Sequence, residues 1–185
     1  MSDTTSRTIQ QPVIELMTEL SAADLDDLCE ASNQAIVDGN GFGWLTPPER
    51  SVQEAFWKGV ITIPVREAYC ARLEGCIVGS GQLVKPFANN EASAHIAHIS
   101  TFFIAPYARG HGLGIGLLSV IEQSATRQGF KILEVDVRET QSAAISLIEN
   151  NGFQRWATKE DYAWDGEKFV GGIYYKKKLQ EAPET

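Results

Sequence analysis

A chain of 185 residues, 43% hydrophobic and 22% charged, is sized for one compact domain whose core needs neither disulfide staples nor a structural metal. Its formal charge of −8, from 16 Lys and Arg against 24 Asp and Glu, argues against a general nucleic-acid binder, because such proteins gain affinity by neutralising phosphates with basic side chains. No run approaches the ~18 apolar residues of a spanning helix and residues 1–11 carry no signal-peptide core, so no membrane partner is expected and a cytoplasmic setting is.

Residues 1–10 and 181–185 read as mobile polar tails around one domain at 11–180. Val13 to Leu16 reads as a first strand. Ser21 followed by Asp24 is a capping-box pattern, and Leu25, Leu28, Ala31, Ala35 and Ile36 then recur at helical spacing as far as Gly39. The glycine-rich stretch 38–43 is a loop, and a short helix follows Pro47-Pro48 from about Ser51 to Gly59. Phe42, Trp44, Phe56 and Trp57 are either ordinary core or the wall of a pocket. From Glu67 the pattern becomes that of strands: Ala68 to Leu73, a turn at Glu74-Gly75, then Cys76 to Val84, where Gly79 and Gly81 should weaken packing. The three cysteines, Cys29, Cys70 and Cys76, form no CxxC pair and read as buried thiols of a reducing compartment.

His95 to Ile104 is a longer strand stopped by Pro106. Alternation along it puts His98, Ser100, Phe102 and Ile104 on one face and His95 on the other, so the HxxH pair lacks both convergence and a third ligand, and no metal is expected. Leu113, Leu117, Ile121 and Ala125 mark a helix ending at Gln128-Gly129, Lys131 to Val137 a mostly buried strand, and Ser142 to Asn151 a short helix. Two strands with Asp165-Gly166 at their turn close the chain, the run Lys176-Lys177-Lys178 reading as a solvated sheet edge. The expected order is β, α, α, β, β, β, α, β, α, β, β.

The stretch carrying chemistry is Arg109-Gly110-His111-Gly112-Leu113-Gly114-Ile115-Gly116, between a strand and a helix. Glycines let a backbone approach a ligand closely, and a helix start offers unpaired N–H groups and a positive dipole end, which together suit a phosphate or pyrophosphate. There is no Gly-Lys-Ser/Thr for a triphosphate loop, and Gly112-x-Gly114-x-Gly116 misses the dinucleotide spacing.

Arg109-x-x-Gly112-x-Gly114 matches the R/Q-x-x-G-x-G/A signature of the GNAT superfamily of N-acetyltransferases. Ile104-Ala-Pro106-Tyr107-Ala-Arg109 resembles the family's lead-in to that signature, and Ala144-x-x-Leu147-x-x-x-x-Gly152-Phe153 its later short helix and strand. The resemblance spans roughly Val13 to Leu179; stretches 38–57, 90–104 and 165–175 are similar to a branch that includes the tabtoxin-resistance acetyltransferases.

The resemblance implies a single-domain α/β (α+β) acyltransferase fold, with a mixed, mostly antiparallel seven-stranded sheet flanked by about four helices. It implies acetyl-CoA as acetyl donor with no metal, and a primary amine, of a small molecule, as acceptor. A protein amino group, or a non-catalytic acyl-CoA-binding sensor, are the alternatives, and homodimers are common in the family. Carried over residue by residue, Arg109 and the amides of Gly110, His111, Gly112, Leu113, Gly114 and Ile115 hold the pyrophosphate. The backbones of Phe102, Phe103 and Ile104 take the pantetheine arm beside a bulge, the Ile104 amide serving as oxyanion donor, and Gln141 stands where asparagine is common. An alkylamine with a pKa of about 10 must first lose a proton, and His98 lies where some members place a base, a role weighed against a plain hydrogen bond on the sheet. Ile148 stands where many members have a tyrosine acid, which leaves Ser142 or Ser146, through water, or no acid at all. The acceptor is written in no motif.

Overall fold

The structure, a computed structural model, describes residues 12–39 and 42–180; the expected tails at 1–10 and 181–185 lie outside the described residues. The elements are β1 (Val13–Leu16), α1 (Ala22–Gly39), α2 (Arg50–Val60), β2 (Arg66–Leu73), β3 (Cys76–Val84), β4 (Ile96–Ile104), α3 (Leu113–Arg127), β5 (Ile132–Arg138), α4 (Ser142–Asn150), β6 (Gln154–Trp164) and β7 (Phe169–Lys178). They form one sheet in the order β1-β2-β3-β4-β5-β7-β6, antiparallel at every step except β4–β5.

Local signals account for several element ends. Asp24 N–H donates to Ser21 Oγ and Ser21 N–H to Asp24 Oδ2, each at 3.1 Å, so the capping box starts α1 with an aspartate one methylene shorter than usual. Glu74 and Gly75, with φ of 52° and 88°, turn β2 into β3 with the positive dihedrals that match strand twist. Asp165 Oδ1 accepts from the N–H of Glu167 and of Lys168, both at 2.9 Å, to shape the β6–β7 connection.

One face of the sheet carries α1 and α2 over Ala68, Cys70, Ile77 and Phe103, with Trp57 fully buried at the centre. The other carries α3 and α4 over Leu83, Ala97, Leu133, Val135 and Tyr175. Burial pushes the Cys70 thiol up to about 12 and the Cys29 thiol upward too, whereas Cys76 is exposed at the hairpin, contrary to a reading of all three as interior.

Three further expectations are corrected. The lysine run does not sit on an edge: β7 lies between β5 and β6, Lys177 pairs with Glu122 of α3 at 2.6 Å, and Lys176 covers the Trp156 ring at 5.6 Å. Long lysine stems lie along apolar surface, so a basic run does not by itself mark an edge. Residues 132–138 alternate instead of being buried on both sides, because neither α1 nor α2 reaches across β5.

Nor do Gly79 and Gly81 loosen β3. A Cβ on Gly81 would lie 2.8 Å from Ile121 Cδ1 and 2.9 Å from Phe102 Cδ2, and one on Gly79 2.6 Å from the Phe103 carbonyl oxygen. The missing side chains make the room that seats Phe102 and Ile104. Since a backbone oxygen cannot yield as a side-chain tip does, Gly79→Ala is expected to cost about 1–3 kcal/mol in urea unfolding, against about 0.5–1.5 kcal/mol for Ser80→Ala, which only loses its hydrogen bond to the Tyr69 carbonyl.

Candidate active site

The site begins with a surplus residue. β4 pairs Ile99 with Leu83 and Ser100 with Gln82, but Phe103 with Ser80, so β4 holds one more residue than β3 across this stretch; Thr101, at φ +48°, sits at the bulge. The insertion reverses the alternation. Ala97 and Ile99 enter the core under α3, leaving His98 and Ser100 on the α1/α2 face. Beyond Thr101 it is Phe102 and Ile104 that pack toward α3, while Phe103 packs at a tilt against Phe42 and Trp57 on the other side. The expectation that His98, Ser100, Phe102 and Ile104 share a face is thus overturned, because a period-two rule fails at one extra residue.

The same bulge opens the sheet. β4 pairs with β5 only from Ile96 to His98, after which β5 continues along β7 and β4 along β3, and the two diverge. Ala105 N–H donates to Val78 O at 2.8 Å. In an antiparallel ladder such bonds fall on every second residue, so the N–H groups of Phe102 and Ile104 point away from β3 and into the gap.

On the α3 side of that gap lies a cleft of about 720 Å³ lined by Phe102, Phe103, Ile104, Arg109, Gly110, Gly112, Leu113, Gly114, Ile115 and Gln141. Gly110 and Gly112 hold left-handed φ of 84° and 74°, Gly112 being the residue that caps the start of α3. The helical ladder starts with Gly116 N–H donating to Gly112 O at 3.0 Å, so the amides of Leu113, Gly114 and Ile115 have no helical acceptor. A Cβ on Gly112 would meet nothing within 4 Å, so the turn is open on that side. These donors, with a helix N-terminus behind them, fit a diphosphate.

Arg109 Nη1 pairs with Asp38 Oδ2 at 2.7 Å across the mouth, and its Nε donates to Ile104 O at 3.4 Å. His111 differs from the other named residues: it does not line the cleft, and its Nδ1 lies 3.2 Å from Ala108 O and 3.1 Å from Arg109 O, closing the turn. Gln141 Nε2 donates to Gly39 O at 3.3 Å, linking the start of α4 to the end of α1.

A second cleft, of about 1120 Å³, opens on the α1/α2 face and reaches the first through the gap, sharing Phe102, Gln141, Ala144 and Leu147 with it. Its wall contains His98, Ser100, Arg66, Asp136, Arg138, Tyr162 and the aromatics Trp44, Phe56 and Trp164. The four aromatics of the early loop and α2 therefore divide: Trp57 is core, Phe42 is nearly so, and Trp44 and Phe56 present surface to the cleft. His98 is 51% exposed at the foot of the gap, its Nδ1 3.7 Å from Glu134 Oε2. Tyr162 donates to Asp136, and burial together with that carboxylate holds its phenol protonated well above the usual range. Ile148 is packed in the core and presents no proton; Ser142 lines the first cleft, while Ser146 lines neither.

Sequence reasoning passed over Asp38, Arg66, Glu134 and Tyr162. Only Glu134 had a local signal, as an acid breaking an apolar strand; the others meet the site from elements far apart in sequence. Among the described residues no group of three His, Cys, Asp or Glu side chains could hold a metal ion, and no helix is long and apolar enough to cross a membrane.

The acetyltransferase (GNAT) family model matches residues 29–153. An uncharacterized N-acetyltransferase of the hisH–hisA intergenic region of Azospirillum brasilense is 49% identical over 128 residues, which are 69% of this chain and 76% of that protein. Among solved structures, an N-acetyltransferase of Staphylococcus aureus Mu50 superposes with a TM-score of 0.78 at 17% identity, over 92% of this chain and 100% of that one. A phosphinothricin acetyltransferase of Sinorhizobium meliloti, solved in complex with acetyl-CoA, gives 0.76 at 20% identity, over 95% and 92%. With the glycine turn, the diverging strands and these likenesses together, the chain belongs to the GNAT family and is an acetyl-CoA-dependent acyltransferase.

Proposed function

We propose that the protein transfers an acetyl group from acetyl-CoA to a primary amine of a small molecule. The observation that carries this reading is the meeting of two clefts at the β4–β5 gap, one built for a diphosphate and the other walled by aromatic and charged side chains. When bound, acetyl-CoA supplies an acyl carbon activated as a thioester. The residues fit it: the Leu113, Gly114 and Ile115 amides receive the diphosphate, with Arg109 adding charge as it is shared with or released from Asp38. The N–H groups of Phe102 and Ile104, unspent on β3, bind along the gap, and the Ile104 amide is assigned to polarise the carbonyl. These groups are fixed by the sheet before any ligand arrives, so orientation rather than proton chemistry carries most of the rate.

His98, beside Glu134 and open to the second cleft, takes the proton from the incoming amine, through water across the remaining distance. The Glu134 carboxylate stands beside the ring, 3.7 Å from Nδ1. No acid is needed to match, since a thiol of pKa about 8.5 leaves tolerably as thiolate.

Thiol release from acetyl-CoA across a panel of small amines tests the reading. Release requiring both acetyl-CoA and an amine is expected, with acetyl-CoA alone raising the melting temperature. His98→Ala is expected to lower kcat about 100-fold while leaving acetyl-CoA binding unchanged. Thermal stabilisation without release from any amine overturns the small-molecule reading, and an unchanged kcat in His98→Ala removes His98 from the reaction.

A further inference from the structure

The net negative charge of the chain points toward cationic ligands, yet the acceptor cleft contains a guanidinium with no acid beside it. Arg66, at the start of β2, pairs in register with Val84 of β3, which pairs with His98 of β4, so all three side chains lie in one row on the α1/α2 face. Arg66 is half-buried, lines the cleft, and donates through Nη1 to Gln82 Oε1 at 2.5 Å.

Other arginines of this protein show what is missing. Arg50 meets Asp26 and Glu54, Arg72 meets Glu15 and Asp24, and Arg109 meets Asp38. Among the described residues, no carboxylate lies within ion-pairing distance of Arg66. The neighbouring acids are engaged elsewhere: Asp136 accepts from Tyr162, Glu134 faces His98, and Glu67, on the opposite face, accepts from Tyr69, Lys85 and Ser124.

Gln82, which orients the guanidinium, is fully buried, and its own Nε2 has no partner among the described residues. Arg66 is thus held from behind by a buried neutral amide, and no carboxylate among the described residues balances its charge on the side that lines the cleft. A half-buried cation fixed by a neutral amide and left without a counter-charge is costly for folding, and a ligand oxyanion offsets that cost. A guanidinium fork matches the two oxygens of a carboxylate or phosphonate.

We propose that Arg66 binds an oxyanion of the acceptor, so that the substrate class is an amine bearing an acidic group, either a carboxylate or a phosphonate. The inference rests on the acetyl-transfer reading above and narrows its acceptor. β2 lies two strand spacings from β4, about 10 Å, and the gap opens beyond His98, so the acidic group stands several bonds from the reacting nitrogen. The carbon chain between them runs past Trp44 and Phe56.

The test is binding, independent of turnover, with product-like probes titrated into the intact protein in the presence of CoA. The probes are N-acetyl-5-aminopentanoate, N-acetyl-4-aminobutylphosphonate and the uncharged N-pentylacetamide. One of the acidic probes is expected to bind at least 30-fold more tightly than the amide, and which one does so identifies the oxyanion. Arg66→Gln should reduce that preference below threefold, and Arg66→Lys should restore part of it, keeping the charge but not the fork. Equal binding of all three probes, or a preference that survives Arg66→Gln, overturns the proposal. A preference that depends on Arg66, with no thiol released from the parent amines, upholds the oxyanion site and overturns acetyl transfer to small molecules.

Discussion

Replacing Gly112 by glutamate is expected to raise the dissociation constant for acetyl-CoA by 100- to 1000-fold in calorimetric titration while leaving a folded protein. The side chain projects from the turn on its open side, since a Cβ there meets nothing within 4 Å, beside the unspent amides of Leu113, Gly114 and Ile115. Two like charges about 4 Å apart near a protein surface repel by about 4 kcal/mol, which is roughly a thousandfold in binding. Part of the effect of any substitution is backbone strain, because φ is +74° and a residue with a Cβ pays about 1–2 kcal/mol there. Gly112→Ala isolates that part: it should lose the same stability and change affinity less than tenfold. Glutamate binding within threefold of alanine would show that no diphosphate lies at this turn.

Trp57→Ala is expected to cost 3–5 kcal/mol and to lower the melting temperature by about 10 °C or more. Trp57 is fully buried, its ring 5.1 Å from that of Phe56 and 6.2 Å from that of Phe103, and its Nε1–H donates to Ser32 Oγ at 3.1 Å. Ser32 passes the chain on, donating to Leu28 O at 2.5 Å within α1. Truncation thus leaves a cavity between α1, α2 and the sheet and strips a buried hydroxyl of its donor. Trp57→Phe keeps most of the volume and should lose only about 1–2 kcal/mol. Phe103 packs against this ring in the part of β4 that has already left β5 and lines the first cleft, so the alanine variant should also bind acetyl-CoA more weakly. A loss under 2 kcal/mol in chemical denaturation would mean that the surrounding aromatics collapse into the space.

Trp57 also shows where a sequence stops being informative. Its neighbours Trp44 and Phe56 have the same chemistry and nearly the same position in the chain, yet they face the acceptor cleft. Aromatic clustering predicts burial without saying which ring ends at a cleft wall, since that depends on what the sheet places opposite.

What the chain determines locally was legible: the capping box at Ser21 and Asp24, the Glu74-Gly75 turn, the helical spacing of α1 and α3, and the glycine turn ahead of α3. Each is an interaction among residues a few positions apart, so its energy depends little on the rest of the fold. The tertiary structure decided everything set by strand pairing. It decided that Thr101 is the surplus residue of β4, which turned Phe102 and Ile104 to the opposite face from His98. It decided that β7 with its lysines is interior, that Gly79 and Gly81 are spaces for β4 and α3, and that Arg66 and Asp38 reach the two clefts. Register between strands far apart in sequence follows from how side chains fill the space between layers, and a single inserted residue reverses the direction of every side chain beyond it.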